Sequence, residues 1–79
     1  MTTPESIKHA IESALACERA EVAGDGHHFE ALIVSSRFEG LNRVKRHQLV
    51  YGALGERMRE EIHALSMTTL TPAEWAAQS

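Results

Sequence analysis

The chain has 79 residues, of which 43% are hydrophobic and 24% are charged, a composition typical of one small globular domain and not of a disordered tail. Its eight Lys and Arg against eleven Asp and Glu leave a net charge of −3, which argues against a domain that wraps nucleic acid through broad phosphate contacts. A single cysteine excludes an internal disulfide, and the lack of a signal-peptide pattern or of a run of roughly 18 apolar residues predicts a cytoplasmic protein with no membrane contact.

The first predicted element is an amphipathic helix over residues 4–16. Thr3 is a typical N-cap, and Pro4 is a typical first helical residue. Apolar residues then recur at helical spacing and form one stripe: Ile7, Ala10, Ile11, Ala14 and Leu15. We expect this stripe to face the core.

Two strands follow the helix. Ala20 and Val22 alternate with charged neighbours, which predicts a short, half-buried strand. This strand ends at Gly24-Asp25-Gly26, a strong turn signal. The segment FEALIVS, residues 29–35, is almost continuously apolar and predicts a second strand that is central in its sheet or covered on both faces.

A longer helix is predicted after the turn around Gly40, with room for one extra helical turn before it. Six residues fall on its expected apolar face: Val44, His47, Val50, Tyr51, Leu54 and Met58. Its expected solvated side is charged: Arg43, Lys45, Arg46, Glu56, Arg57, Arg59 and Glu60.

The last third of the sequence predicts a strand and a short helix. Residues 62–70 are rich in β-compatible side chains and predict a third strand. Thr71-Pro72-Ala73-Glu74 is a capping box, which starts a short helix that carries Trp75. We therefore expect a single α+β domain over residues 1–79, with helices packed on a three-stranded sheet.

Five histidines are the most distinctive chemical feature of the sequence. His9 lies among polar neighbours and is expected at the surface. His27 and His28 form a pair in the loop after Gly26, and His63 opens the third predicted strand. Neutral imidazole is a common ligand of zinc, copper and iron, although a loop histidine is more often solvated than ligating. These histidines alone make an incomplete site, so any metal here needs ligands from another molecule.

Other reactive residue types favour structural roles. His47 shares a helix face with Tyr51, so we expect a partly buried imidazole hydrogen-bonded to the backbone. Cys17 has no neighbouring base in the sequence, and packing is its expected role. No GxSxG elbow and no acid–base–nucleophile set is visible, so the sequence does not predict an enzyme.

Three basic residues at the start of the long helix, Arg43, Lys45 and Arg46, form a local basic patch. A solvated helix face is the expected role, and contact with nucleic acid is the alternative, which the acidic balance of the chain disfavours. The segment Gly40-Leu41-Asn42-Arg43 has the first glycine of a phosphate-clamping GxxG loop and lacks the second.

Taken in order, these segments resemble the BolA family. The similarity covers residues 24–75, and its motifs occur in the expected order. They are the HF before the apolar strand, F-x-G at Phe38 and Gly40, R-H-x-x-V-Y from Arg46 to Tyr51, I-H-A-L at His63, and T-P-x-E-W at the end. The loop G-D-G-x-H-F is similar to that of the short bacterial branch of the family.

The resemblance implies an αββααβ fold of the class II KH-like type, with a mixed three-stranded sheet and a short C-terminal helix. It also implies a non-enzymatic partner of CGFS-type monothiol glutaredoxins, which shares a [2Fe–2S] cluster with them in iron–sulfur assembly, trafficking or iron sensing. The glutaredoxin cysteine and a glutathione thiolate supply sulfur ligands. The BolA-like chain supplies His63 and a loop residue, here either His28 or His27.

A second function implied by the resemblance is that of a nucleic-acid-binding transcriptional regulator in stress responses. It would use the KH-like fold and place Arg43, Lys45 and Arg46 on phosphates. Apo-proteins that receive the cluster, and DNA, are the further expected partners, and the free chain is expected to be a monomer or a weak dimer. Structural or interface roles are expected for His47, Tyr51 and Trp75.

Overall fold

The computed structural model describes residues 3–55 and 64–78. The elements in chain order are helix α1 (Pro4–Ala14), strands β1 (Arg19–Gly24) and β2 (Phe29–Val34), a 3₁₀ turn (Ser36–Phe38), helix α2 (Arg43–Leu54), strand β3 (Leu65–Leu70) and helix α3 (Pro72–Gln78). The predicted α+β order is confirmed, and the 3₁₀ turn is the extra helical turn expected before the long helix. None of the helices in the described ranges has the length and apolar character needed to cross a bilayer.

The three strands form one mixed sheet in the order β1-β2-β3. β1 and β2 are antiparallel, with Gly24 opposite Phe29 at the loop end. β2 and β3 are parallel, with Phe29 opposite Leu65 and Val34 opposite Leu70. The connection between the two parallel strands passes through α2, and β2 is the central strand, as its continuous apolar sequence predicts.

Alternate residues of the strands face a common core. The middle strand contributes Phe29 and Ile33, and Ile33 has no exposed surface. Ala20 lies opposite Ile33 and Leu65 lies opposite Phe29, so these side chains form one layer. The layer is covered by residues of the helices and of the segments that flank them: Ile7, Ala10, Ile11, Leu15, Phe38, Val50 and Leu54. Burial of this apolar surface is the main favourable term in the folding of the domain.

Helix α1 begins as predicted and ends earlier. The Thr3 Oγ1 accepts a hydrogen bond from the Ser6 N–H at 3.1 Å, and the Ser6 Oγ accepts one from the Thr3 N–H at 3.0 Å. The helix ends at Ala14 and not at residue 16, because Leu15 has an extended backbone and its side chain is buried in the core.

Helix α2 buries two residues of the predicted apolar face and exposes a third. Val50 and Leu54 are buried one turn apart, and Leu49 and Ala53 pack beside them. Val44, which was expected on the apolar face, is 63% exposed. Val44 precedes Val50 by six residues, and a helix turns by about 100° per residue, so the two side chains point in different directions. The prediction that Val44 lies on the apolar face is therefore wrong.

Helix α3 begins at the predicted capping box. The Thr71 N–H donates to the Glu74 Oε1 at 2.9 Å, and the Glu74 N–H donates to the Thr71 Oγ1 at 3.1 Å. Pro72 is the first helical residue. Two predictions fall on residues 56–63 and lie outside the described residues: the end of the long helix with Met58, and the start of the third strand with His63.

Candidate metal-ligand site

The loop between β1 and β2 carries both predicted loop ligands. Gly24 ends β1, and a Cβ atom there would lie 2.5 Å from the His28 carbonyl oxygen and 2.6 Å from the Phe29 Cδ1. Only glycine permits this close approach. Gly26 has a φ angle of 95°, in the left-handed region that favours glycine. The two glycines therefore set the path of the chain through His27 and His28.

Asp25 organises the loop between these glycines. Its Oδ1 accepts hydrogen bonds from the backbone N–H groups of His27 and His28, both at 2.9 Å. These donors, that of His27 first, hold the pKa of the Asp25 carboxyl below its usual range. The sequence predicts a turn in this segment. An aspartate whose side chain accepts a hydrogen bond from the backbone N–H two residues later is typical of such turns. This role of Asp25 was not predicted from the sequence.

The side chain of His28 points toward β3. Because side chains alternate along a strand, His28 and Glu30 lie on the sheet face opposite to that of Phe29. On this face the His28 Nε2 lies 3.4 Å from the Oγ of Ser66, the second residue of β3. The contact is long for a hydrogen bond, and it shows that the imidazole is directed toward β3. Ser66 is 38 residues away in sequence and carries no motif that would have singled it out.

The amino ends of β2 and β3 lie side by side, because the two strands are parallel and Phe29 is opposite Leu65. His28 immediately precedes β2, and Ala64 immediately precedes β3. His63, the other predicted ligand, is the residue before Ala64 in the sequence and lies outside the described residues. The loop histidine is thus at the end of the sheet where the chain enters β3.

His27 is exposed, and its imidazole makes no hydrogen bond to any residue in the described ranges. Within those ranges, no three His, Cys, Asp or Glu side chains are grouped closely enough to hold a metal ion. Imidazole nitrogen is a suitable ligand for iron or zinc, so the donors present fit one part of a site that other groups complete.

The structure divides the predicted basic patch. Arg43 and Lys45 are exposed in the first turn of α2. The Arg46 side chain is only 13% exposed, and its guanidinium donates to both carboxylate oxygens of Glu74 at 2.7 and 3.2 Å. Arg46 is therefore not the solvated surface cation that was expected, and its bonds to Glu74 also compete with the phosphate contact that was the alternative.

Arg46 joins three parts of the fold. Its Nε donates to the Leu41 carbonyl at 2.8 Å, and one Nη donates to the Thr69 carbonyl at 3.1 Å. The Arg46 guanidinium, followed by the Thr71 N–H, lowers the pKa of Glu74 to about 2. This link between α2, β3 and α3 has no sequence signal, because 28 residues separate Arg46 from Glu74.

Three aromatic side chains predicted to be structural or interface residues lie in packing contacts of α2 and α3. His47 and Tyr51 are half-buried, with ring centroids 6.4 Å apart and planes at 72°. The hydrogen bond expected between His47 and the backbone is absent within the described residues. Trp75 is half-buried, and the Arg19 Cζ lies 5.0 Å from its ring centroid.

Cys17 and Ser35 have structural positions, whereas His9 is exposed on α1 as predicted. Cys17 packs against the core, and burial, followed by the charge of Glu12, raises the pKa of its thiol. A raised pKa leaves little thiolate, which makes the thiol a weak nucleophile. Ser35 is fully buried and its hydroxyl donates to the carbonyl of Ala16.

The fold and this loop define a single-domain α+β protein that presents a histidine pair at one end of a mixed sheet. The family model for the BolA-like protein matches residues 2–74. The chain belongs to the BolA family.

The chain is similar to several known members. It is 44% identical over 71 residues to the acid stress protein IbaG of Escherichia coli K12, which covers 89% of this chain and 84% of IbaG. It is 43% identical over 56 residues to the DNA-binding transcriptional regulator BolA of Haemophilus influenzae, which covers 71% of this chain and 54% of that protein. Its structure resembles that of a bolA homologue from Coxiella burnetii, with a TM-score of 0.85 and 48% identity over 96% of this chain and 99% of the other.

Proposed function

We propose that this chain is a non-enzymatic, cytoplasmic partner of a monothiol CGFS glutaredoxin, with which it shares a [2Fe–2S] cluster. His63 and His28 are its ligands, and the glutaredoxin cysteine and glutathione supply the sulfur ligands. The complex serves iron–sulfur cluster transfer to apo-proteins or iron sensing.

The position of His28 is the observation that carries this proposal. Its Nε2 lies 3.4 Å from the Ser66 Oγ, at the end of the sheet where the chain arrives from His63. The proposal requires His63, two positions before β3 in sequence, to act together with His28, from which it is 35 positions away. Imidazole ligands on one iron raise the reduction potential of such a cluster above that of an all-thiolate cluster.

His28 is favoured over His27 as the loop ligand. The Asp25 Oδ1 accepts hydrogen bonds from the backbone N–H groups of His27 and His28, both at 2.9 Å, so this carboxylate positions the backbone of the two residues equally. The His28 ring contacts Ser66 of β3, and no such contact with β3 is made by the His27 ring in the described residues. A ligand whose position is fixed by its neighbours loses less conformational entropy when a partner completes the site.

We place the docking surface for the glutaredoxin on the sheet face that carries His28. A shallow depression of about 400 Å³ on this face is lined by Glu30, Leu32, Ser66 and Thr68, among others. Leu32 is half-buried and provides an apolar floor for a partner. Leu32→Lys is expected to weaken the complex, whereas Val44→Lys, on the exposed side of α2, is the matched control.

The proposal is tested by mixing the chain with a CGFS glutaredoxin, glutathione, ferric iron and sulfide, and recording visible circular dichroism. We expect a spectrum that neither protein gives alone. His63→Ala and His28→Ala change or abolish this spectrum, because each removes one ligand. His27→Ala and His9→Ala remove an imidazole that is not a ligand and leave it unchanged.

Two outcomes would contradict the assignment. An unchanged spectrum in His63→Ala overturns the ligand set as a whole. A spectrum that is lost in His27→Ala and kept in His28→Ala exchanges the roles of the two loop histidines. Far-ultraviolet circular dichroism of each variant checks that the fold is intact.

A second candidate function is DNA binding, favoured by the exposure of Arg43 and Lys45 on one turn of α2. The similar Haemophilus protein is a DNA-binding transcriptional regulator. Two exposed cations give weak binding with a shallow salt dependence, since Arg46 is held by Glu74. Electrophoretic mobility shifts at low ionic strength test this function. If the chain binds DNA, we expect the double substitution Arg43→Ala and Lys45→Ala to abolish the shift. The absence of a shift with the unmodified chain would reject DNA binding.

A further inference from the structure

The outer edge of β3 is not paired in the described part of the chain. The order β1-β2-β3 leaves β3 with one neighbour. The Ser35 N–H donates to the Leu70 carbonyl at 3.0 Å, so the backbone of Leu70 faces β2. In a parallel ladder alternate residues face alternate sides, which turns the backbone groups of Met67 and Thr69 outward.

The hydrogen bonds of this edge agree with that assignment. The Thr69 carbonyl accepts from Arg46 at 3.1 Å and is therefore already used. The N–H and carbonyl of Met67 and the N–H of Thr69 have no partner among residues 3–55 and 64–78. They form a donor–acceptor–donor row, which is the pattern that the backbone of an added strand would pair with.

A groove runs along this edge between α2, β3 and α3. Its volume is about 510 Å³, and Arg43, His47, Met67, Thr69, Glu74 and Gln78 are among its lining residues. A groove of this size is within the range of protein ligand sites, which is about 300–1,000 Å³. Its lining includes four consecutive residues of β3, Met67 to Leu70, so an extended chain fits it better than a compact ligand.

The charge of the groove is opposite to that of the chain as a whole. The chain has a net charge of −3. Within the groove, the Glu74 carboxylate is neutralised by Arg46, to which it is bonded at 2.7 Å. Arg43 remains without a partner in the described residues, and the His47 imidazole lies beside it in the lining. The local field therefore favours a ligand with carboxylates.

We propose that this groove binds an extended acidic peptide segment of a partner protein, which adds a strand to the outer edge of β3. The backbone of the peptide pairs with Met67 and Thr69, and one of its carboxylates pairs with Arg43. Peptide is favoured over nucleic acid because the open edge offers a carbonyl acceptor between two N–H donors, and phosphates have no donor for it. The inference goes beyond the shared cluster and does not depend on it.

The test is a titration of the ¹⁵N-labelled full chain with the acidic peptide acetyl-TVEVDV-amide, followed by amide chemical shifts. We expect saturable shifts of the Met67 and Thr69 amides. Arg43→Glu weakens binding about tenfold, because it reverses the charge that faces the carboxylate. Lys45→Glu makes the same change in charge in the same turn of α2, at a residue that does not line the groove, and it should weaken binding no more than about twofold.

Three further probes separate backbone pairing from other causes. The same peptide with alternate backbone nitrogens methylated keeps its charge and cannot pair, so we expect it not to bind. The basic analogue acetyl-TVKVKV-amide is also expected not to bind. The proposal is overturned if the methylated peptide binds equally, if Arg43→Glu and Lys45→Glu are equivalent, or if an oligothymidylate shifts Met67 and Thr69 while the acidic peptide does not.

Discussion

Gly24 is the residue on which the position of the loop histidines most directly depends. An added Cβ would lie 2.5 Å from the His28 carbonyl and 2.6 Å from the Phe29 ring, and neither the backbone nor a buried ring can move freely. We expect Gly24→Ala to lower the free energy of unfolding by about 1–3 kcal/mol through this overpacking. Urea unfolding followed by fluorescence of Trp75, the only tryptophan, measures the loss.

Gly52→Ala is the matched control for this substitution. Gly52 is exposed within α2, and an added Cβ there meets nothing within 4 Å. Alanine at such a helical position is expected to raise the free energy of unfolding by about 0.5–1 kcal/mol. If both variants changed the free energy of unfolding in the same direction, the close approach of the chain at Gly24 would not be the reason that glycine is required there.

Local residue signals were predictable from the sequence, and long-range contacts were not. The caps at Thr3 and Thr71 and the turn at Gly24 depend on residues within three positions of each other, so their spacing alone identifies them. The direction of the His28 ring depends on Ser66, which folding brings next to it. The sequence therefore predicts a loop pair of histidines but does not choose between them.

At the scale of elements, α3 is attached to the domain chiefly by polar contacts. None of its own residues is fully buried. Its Glu74 is bonded to Arg46 of α2, and its Trp75 lies against Arg19 of β1. A helix of seven residues is too short to be stable alone, so these contacts decide whether it forms.

The pH dependence of this attachment follows from Glu74. Its pKa is lowered from 4.5 to about 2 in the folded chain by the Arg46 guanidinium. A carboxyl with a depressed pKa stabilises the fold fully above pH 4.5, and this contribution is lost as the pH falls toward 2. We expect Glu74→Gln to be less stable than the unmodified chain at pH 7, and the two to converge near pH 2.

Urea unfolding over a series of pH values checks this prediction. Glu39→Gln is the control, because Glu39 is exposed and its carboxylate has no hydrogen bond among the described residues. A constant difference between Glu74→Gln and the unmodified chain at all pH values would show that the charge of Glu74 does not act through Arg46.

The faces of the elements were harder to predict than the elements themselves. The strands and α1 have regular apolar patterns, and their buried residues follow those patterns except at Ala14, which was expected in the core-facing stripe of α1 and is exposed. In α2 the apolar residues extend around the helix, so Val44 was assigned to the wrong side. Arg46 looked like a surface cation because nothing in its neighbourhood in sequence indicates the carboxylate of Glu74.

At the scale of the whole molecule, one small core supports both proposed surfaces. Ile33 is fully buried in the central strand. We expect Ile33→Ala to lower the free energy of unfolding by about 2–5 kcal/mol, because it leaves a cavity. Domains of this size have a free energy of unfolding of about 4–12 kcal/mol in total, so this variant loses much of its stability.

Ile33→Val is the control, and it should lower the free energy of unfolding by about 0.5–1.5 kcal/mol in a urea titration. Equal losses in the two variants would mean that the core relaxes around the missing atoms.

The two proposed surfaces adjoin along β3 and share Met67 and Thr68 in their linings, but the residues that define each one are separate. His28 lies at the amino end of the strands, on the face opposite to that of Phe29, whereas the groove follows the outer edge of β3 beside Arg43. His28 and Arg43 share no hydrogen-bond partner in the described ranges, and substitutions at separated residues without shared partners are additive within about 0.5 kcal/mol. We therefore expect Arg43→Glu to leave the circular dichroism of the cluster-bound glutaredoxin complex unchanged, and His28→Ala to leave the peptide titration unchanged.

Saturating acidic peptide should also change the affinity of the chain for the glutaredoxin by less than about threefold, measured by calorimetry. A larger change would mean that one partner contacts both surfaces, and the acidic segment would then have to be sought in the glutaredoxin itself.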